Sequence, residues 1–430
     1  MAEENLNRKK DLTADEKYEL LKTISYKIRD TLDLDVILNQ LLDLLEPVMQ
    51  YDAAGVFVLS QDIIHPRYHF PMQYIAGIAH RGYDKRPPES DSMLMEGKGL
   101  VGYVIKSGES LLVPDVRLDS RYIAGREKTH SEMVVPIMKN GRPIGAFDVE
   151  SDRTGSFDHI DLDILSFFAD AAAISIDKAI LHHQILRKKI IEEQLQIASE
   201  VQASLLPASP PLVKGYEFAG ICIPTYDIGG DYFDYIKLDD GNIAVTVADV
   251  SGDGIPAALV MASFRALLHS HSKTVRDPSV LMTLINNHLM EYTRKRDFIT
   301  VFYGILNTNE NRLIYTNCGH IAPLLIRSGG EISELKTGGP SLCLMDNANY
   351  NTAEIILNKG DKIILYTDGV TEIFNKNSEE FGLDRLVNVI KKNQGESPES
   401  LIKKIEVETK NFSKDEFYND DYTLVVVSCQ

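Results

Sequence analysis

The chain has 430 residues, 44% of them hydrophobic and 25% charged, the profile of an ordinary soluble globular protein long enough for roughly two or three domains with separate cores. Its 45 Lys and Arg against 63 Asp and Glu leave a formal charge of -18, a field that argues against nucleic acid or anionic lipid as partner. The cysteines Cys222, Cys318, Cys343 and Cys429 lie far apart, without paired zinc spacing or the look of a disulfide framework, and suit a reducing compartment.

Taken in order, the first segment, MAEENLNRKKDLTADEKYEL, is polar and lacks the apolar core of a signal peptide. No later run approaches the ~20 apolar residues of a membrane span, so a cytoplasmic location is expected. From Asp15 to Met49 apolar residues recur at helical spacing, with Pro47 near the end. The runs DAAGVFVLS, MQYIAGIAH, LLVPDV, SEMVVPIM and PIGAFDVES then read as short strands separated by turn residues, notably KNGRP at Lys139–Pro143.

Between Phe157 and Leu206 there is no Gly or Pro, and the pattern predicts one long helix. Leu181, Ile185, Ile191, Leu195, Ala198, Val201 and Leu205 follow three- and four-residue steps, interrupted at Lys188. This predicts a linker helix able to pair with a second copy, hence a homodimer; the alternative is a helix lying on its neighbouring domain. Arg187, Lys188 and Lys189 read as its solvated face, and His182 and His183 as plain linker residues. Pro207, Pro210 and Pro211 end the helix, and strands and helices alternate from there to the C-terminus, with turns short enough to imply largely antiparallel sheets with helices outside.

In this second half acids recur at strand termini: Asp231 in GGDYFD, Asp249 closing AVTVADV, Asp368 closing KIILYTDG, and Asp420 with Asp421 opening YTLVVVS. Any one of them could be a turn residue. Four such positions suggest a site for hard divalent cations, which take oxygen ligands and commonly combine a few carboxylates with water. Asp249, Ser251, Asp253 and Gly254 match the first half of an EF-hand loop, but its twelfth position is Val260, not Glu, and a strand-like run precedes it. The glycines fit a tight strand-to-helix turn instead. No GxSxG elbow, phosphate loop or HExxH is present, and the Gly pairs at 229–230, 329–330 and 338–339 read as isolated turn signals. His320, after Gly319, is the most suggestive histidine and reads as a packing or turn residue.

The blocks GGDYFDY, VADVSGDGIPAALVMA, YTNCGHIAPLL, LYTDGVTEIFN, FGLDRL and DDYTLVVV, in that order, resemble the metal-dependent PPM-type serine/threonine phosphatases of the bacterial SpoIIE/RsbU branch over 207–430. GKGLVGYVIKSGESLLVPDVRLDSRY, VVPIMKNGRPIGAFDVES and the helix after them resemble a GAF sensor domain over 21–178, leaving 1–20 as a polar segment and 179–206 as a helical linker. The resemblance implies an α+β protein: a GAF domain with an antiparallel sheet and flanking helices, the linker, and an αββα sandwich around two manganese or magnesium ions. It implies that Asp249 bridges both ions, the Val250 carbonyl helps bind one, and Asp368 and Asp420 hold the other, with Asp231 acting directly or through water. Asp420 is preferred to Asp421 because the first acid of the family's pair is the ligand. Many relatives carry His where this chain has Asp253.

The implied activity is hydrolysis of phosphoserine or phosphothreonine on a partner protein, a STAS-domain anti-sigma-factor antagonist, by metal-activated water. The alternative is a non-catalytic scaffold that binds a phosphoprotein. The GAF domain is expected to regulate through an unidentified small-molecule or protein signal; His65, His69 and His80 read as surface residues.

Overall fold

A computed structural model describes residues 19, 22, 23, 26, 32–59, 75–83, 96–294, 297–414 and 420–430. Most of segment 1–20, much of the first half of the helical pattern from Asp15, and His65 and His69 lie outside these residues. The chain forms two compact units, Met1–Ile190 and Ile191–Gln430.

In the first unit, helix α1 (Leu34–Leu45) starts at Asp33, whose side chain accepts from the Val36 amide. Strands β1 (Ala53–Leu59), β2 (Ile75–Arg81), β3 (Leu111–Val113), β4 (Ser131–Lys139) and β5 (Arg142–Ser151) form an antiparallel sheet in the order β2-β1-β5-β4-β3. The turn between β4 and β5 is made by Asn140 and Gly141, both at positive φ, as the KNGRP stretch predicts. Alternation sends Met133, Val135, Phe147 and Val149 to one face, against Leu38 and Leu41 of α1 and Leu165, Phe168 and Ile176 of helix α3 (His159–Ala203). Val134 and Ala146 face the other way, against Leu100 and Val104 of helix α2 (Gly99–Ser107).

The 45-residue α3 is the long helix expected from the absence of Gly and Pro. Leu181, Ile185, Ile191 and Val201 are at least half exposed along it.

The second unit stacks four layers. One sheet runs β13-β10-β9-β8-β7 and the other β12-β11-β15-β16-β6. The strands of the first are β7 (Tyr232–Lys237), β8 (Ile243–Val250), β9 (Ile299–Asn307), β10 (Arg312–Cys318) and β13 (Gly338–Gly339), with β14 (Ala353–Ile356) also paired to β10. Those of the second are β6 (Tyr216–Ile223), β11 (Leu324–Ile326), β12 (Ile332–Glu334), β15 (Lys362–Tyr366) and β16 (Tyr422–Cys429). Phe233, Val245 and Val247 of one sheet meet Leu365, Val425 and Val427 of the other. The outward residues Tyr232, Ala244 and Ala248 pack under helices α4 (Gly254–His271) and α5 (Pro278–Met290). On the far side Ile364, Leu424 and Val426 pack under α7 (Gly382–Lys392) and α8 (Pro398–Ser413), after the single-turn α6 (Asp368–Thr371). Pairing is antiparallel except between β10 and the two-residue β13, which is parallel. All four cysteines are free. Among the described residues no helix is long and apolar enough to cross a membrane.

Candidate metal centre

Register brings the strand-end acids to one end of the two sheets. Tyr232 pairs with Ala248, so Asp231, just before β7, lies beside Asp249 near the end of β8. In the second sheet Tyr366 pairs with Leu424, and the Thr367 amide donates to the Thr423 carbonyl, which sets Asp368 at the start of α6 next to Asp420 and Asp421.

Two side chains tie the sheets together at this end. The Asp421 carboxylate accepts from the amides of Thr225 (2.8 Å), Gly230 (2.7 Å) and Asp231 (3.3 Å). The Thr367 hydroxyl donates to Asp231 Oδ2 at 2.7 Å and accepts from the Thr423 amide at 3.1 Å. Asp421 is thus occupied by backbone donors, while the Asp420 carboxylate accepts one amide bond, from Asp421. The Gly229–Gly230 pair does more than mark a turn: a Cβ at Gly229 would lie 2.1 Å from Asp421 Oδ2, and one at Gly230 2.7 Å from the Val250 carbonyl oxygen. Gly252 and Gly254 take positive φ, giving the tight strand-to-helix turn their spacing suggests, and Asp253 precedes α4 with no side-chain capping bond.

Burial and mutual repulsion raise these carboxyls. Desolvation, then the charges of Asp368, Asp420, Asp421 and Asp253, pushes Asp249 up to about 7. Asp231, 4% exposed, rises well above the usual carboxylate range by desolvation and then by the charge of Asp249. Asp368 and Asp420 are raised as well, desolvation again first. Among the described residues none of these four acids forms an ion pair with Lys, Arg or His. Buried carboxylates without a counter-charge are costly, and an all-oxygen set of this kind fits hard divalent cations. No three of these acids bring ligand oxygens within 4.8 Å of one another.

Of the remaining candidates, His320 borders this cluster through Thr300, the strand partner of Asp249, and Cys222 through the Asp231 carbonyl, 3.9 Å from its Sγ. His320 is buried, its Nδ1 lies 2.7 Å from the Thr300 hydroxyl, and burial lowers it to about 4, so it stays neutral. His80 makes an edge contact with Tyr83. Burial pushes the Cys222 and Cys318 thiols up, away from thiolate chemistry.

Sequence reasoning missed the clamping role of Asp421 and the part played by Thr367, which sits in LYTDG without a motif of its own. It also missed Gln202 near the end of α3, whose amide pairs in both directions with the Gly229 backbone at 2.6 and 3.1 Å. These contacts join residues far apart in sequence, and only the position of Asp421 beside Asp420 hints at one of them.

Residues 239–430 match the family described as Stage II sporulation protein E (SpoIIE), and residues 33–176 match the GAF domain. The phosphoserine phosphatase RsbU of Bacillus subtilis is 29% identical over 259 residues, covering 59% of this chain and 76% of that protein. The phosphoserine phosphatase RsbP of the same organism is 23% identical over 190 residues, 42% of this chain and 46% of its own length. The SiaA-PP2C domain of Pseudomonas aeruginosa superimposes with a TM-score of 0.50 at 20% identity, covering 57% of this chain and 99% of that domain. The chain therefore joins a GAF domain to a protein serine/threonine phosphatase domain of the metal-dependent, SpoIIE/RsbU-like PPM type.

Proposed function

We propose that the second unit hydrolyses phosphoserine or phosphothreonine on a signalling protein, a STAS-domain anti-sigma-factor antagonist, and that the GAF domain regulates this activity. The observation that carries the catalytic reading is the convergence of Asp231, Asp249, Asp368 and Asp420, buried or half-buried without counter-charge, at one end of two sheets. Asp249, with acids from both sheets around it, is the residue suited to bridge two ions, the Val250 carbonyl to one of them and Asp368 and Asp420 to the other. Asp231 is held by Thr367 and acts directly or through an ordered water. Mg2+ or Mn2+, when bound, supplies an acidic water for in-line attack on phosphorus and positive charge against the phosphoryl oxygens.

The protein residues place and protect that chemistry. The three amides gathered by Asp421 fix the loop that leads into Asp231, so its position does not depend on the ions alone. Asp253 repels Asp249 and Asp420, adding negative charge at the centre where many relatives have histidine. Regulation is read through α3, since Gln202 near its end grips the Gly229 backbone beside this loop. The exposed apolar residues of α3 support a homodimer as the regulated form. A GAF signal would shift the balance of linker arrangements only by its differential affinity for them.

Phosphate release from a phosphorylated STAS-domain protein, measured with Mn2+ and again with excess chelator, tests the reading. Release that stops with chelator and with Asp368→Asn supports it. Binding of the phosphoprotein without any release, under every metal tried, would instead make the chain a scaffold.

A further inference from the structure

A second acid cluster lies in the first unit, on the face of the sheet turned away from α1 and α3. Glu132 of β4 and Glu150 of β5 are directly opposed across the antiparallel pair, and Asp148 stands two residues before Glu150 on the same face. The next residues along that face, Val134 and Ala146, belong to the apolar core beneath α2. The acids are just as buried: Asp148 is 1%, Glu132 4% and Glu150 5% exposed. One oxygen from each lies within 4.8 Å of the others, and no other three acids, cysteines or histidines among the described residues are grouped so closely.

The donors around them do not suffice. The Tyr83 hydroxyl lies 2.8 Å from Asp148 Oδ2 and 2.7 Å from Glu150 Oε1, yet it has one proton to donate. The Thr129 hydroxyl donates to the other oxygen of Glu150. Arg126, whose charge reaches Glu150, is paired with Asp152. Among the described residues no N–H or hydroxyl donor reaches the buried Asp148 Oδ1, and the Asp148 carboxyl lies in hydrogen-bonding contact with that of Glu132. Among the described residues two hydroxyl protons thus face three buried carboxyl groups, where an apolar residue at each position would cost the fold less. Desolvation, then the charges of neighbouring carboxyls, raises Glu132 and Asp148 well above the usual carboxylate range, and desolvation raises Glu150 against the lowering effect of its hydrogen bonds.

We infer that Glu132, Asp148 and Glu150 form a cation-binding site inside the GAF domain, filled by a compact positive charge, either a divalent metal ion or the ammonium group of a small molecule. Three converging carboxylates offer one acceptor to each N–H of an ammonium, or an all-oxygen set to a hard metal ion. Tyr83 and Thr129 orient the acids. The inference stands apart from the phosphatase reading, because it concerns only the first unit.

The test uses the full chain. With EDTA present to keep metals away, isothermal titration with a panel of free amino acids and simple amines reads the ammonium arm. Equilibrium dialysis against Mg2+, Mn2+ and Ca2+, with ions counted per chain, reads the metal arm. Saturable binding of one amine per chain, weakened about tenfold or more by Glu132→Gln or Asp148→Asn, supports the site with an organic ligand. A count that falls by one ion per chain in the same variants, with no amine bound, supports it with a metal. Both variants remove a buried charge, so without ligand they should melt no lower than the parent chain. Absence of amine binding together with an unchanged ion count overturns the inference.

Discussion

Asp249→Asn should have opposite effects on stability with and without metal ions. In the metal-free chain Asp249 titrates at about 7, against 3.8 for an unperturbed aspartate. Between those values the folded chain holds a proton that the unfolded chain has released, so stability falls as pH rises through the window. At about 1.4 kcal/mol per pH unit, the loss by pH 8 is at most about 4 kcal/mol. Asparagine carries no such charge. In EDTA at pH 8 the variant should therefore be more stable than the parent by up to about 4 kcal/mol, with the gain vanishing near pH 4. With Mn2+ the order reverses, since the parent gains ion-binding energy that the variant largely forfeits, and phosphate release should drop at least about a hundredfold. Urea unfolding at pH 4 and pH 8, with EDTA or Mn2+, followed through the transition that responds to Mn2+, measures both signs. A variant no more stable than the parent at pH 8 in EDTA would refute the reasoning that this carboxylate is buried among like charges.

Asp421→Ala leaves the Thr225, Gly230 and Asp231 amides without their acceptor; it should cost about 2–4 kcal/mol and most of the activity, while Asp421→Asn, which keeps one acceptor oxygen, should lose less in thermal melts and phosphate release. Thr367→Val removes the hydroxyl bonded to Asp231 and the Thr423 amide; a loss of about 1–3 kcal/mol in urea midpoints is expected, and Thr367→Ser should restore most of it. If α3 pairs with a second copy, light scattering will give a dimer for the parent chain and a monomer for Ile185→Glu combined with Ile191→Glu; a monomeric parent would remove the dimer from the regulatory scheme.

Much of this protein is written locally. The glycine- and proline-free run predicts one long helix, found as the 45-residue α3, and the short apolar runs between turn residues predict the strands of both units. One signal in β5 went unread: Asp148 and Glu150 occupy one face of the strand while Phe147 and Val149 occupy the other. The sequence alone therefore determined the element types, the two kinds of domain and the acids at strand ends, because period, turn chemistry and motif order act over a few neighbouring residues. Which acids meet was decided only by tertiary structure. Asp421 clamps a loop 190 residues away, Thr367 reaches Asp231, and Glu132 faces Glu150, since each pairing depends on strand register and sheet stacking, which no local pattern encodes.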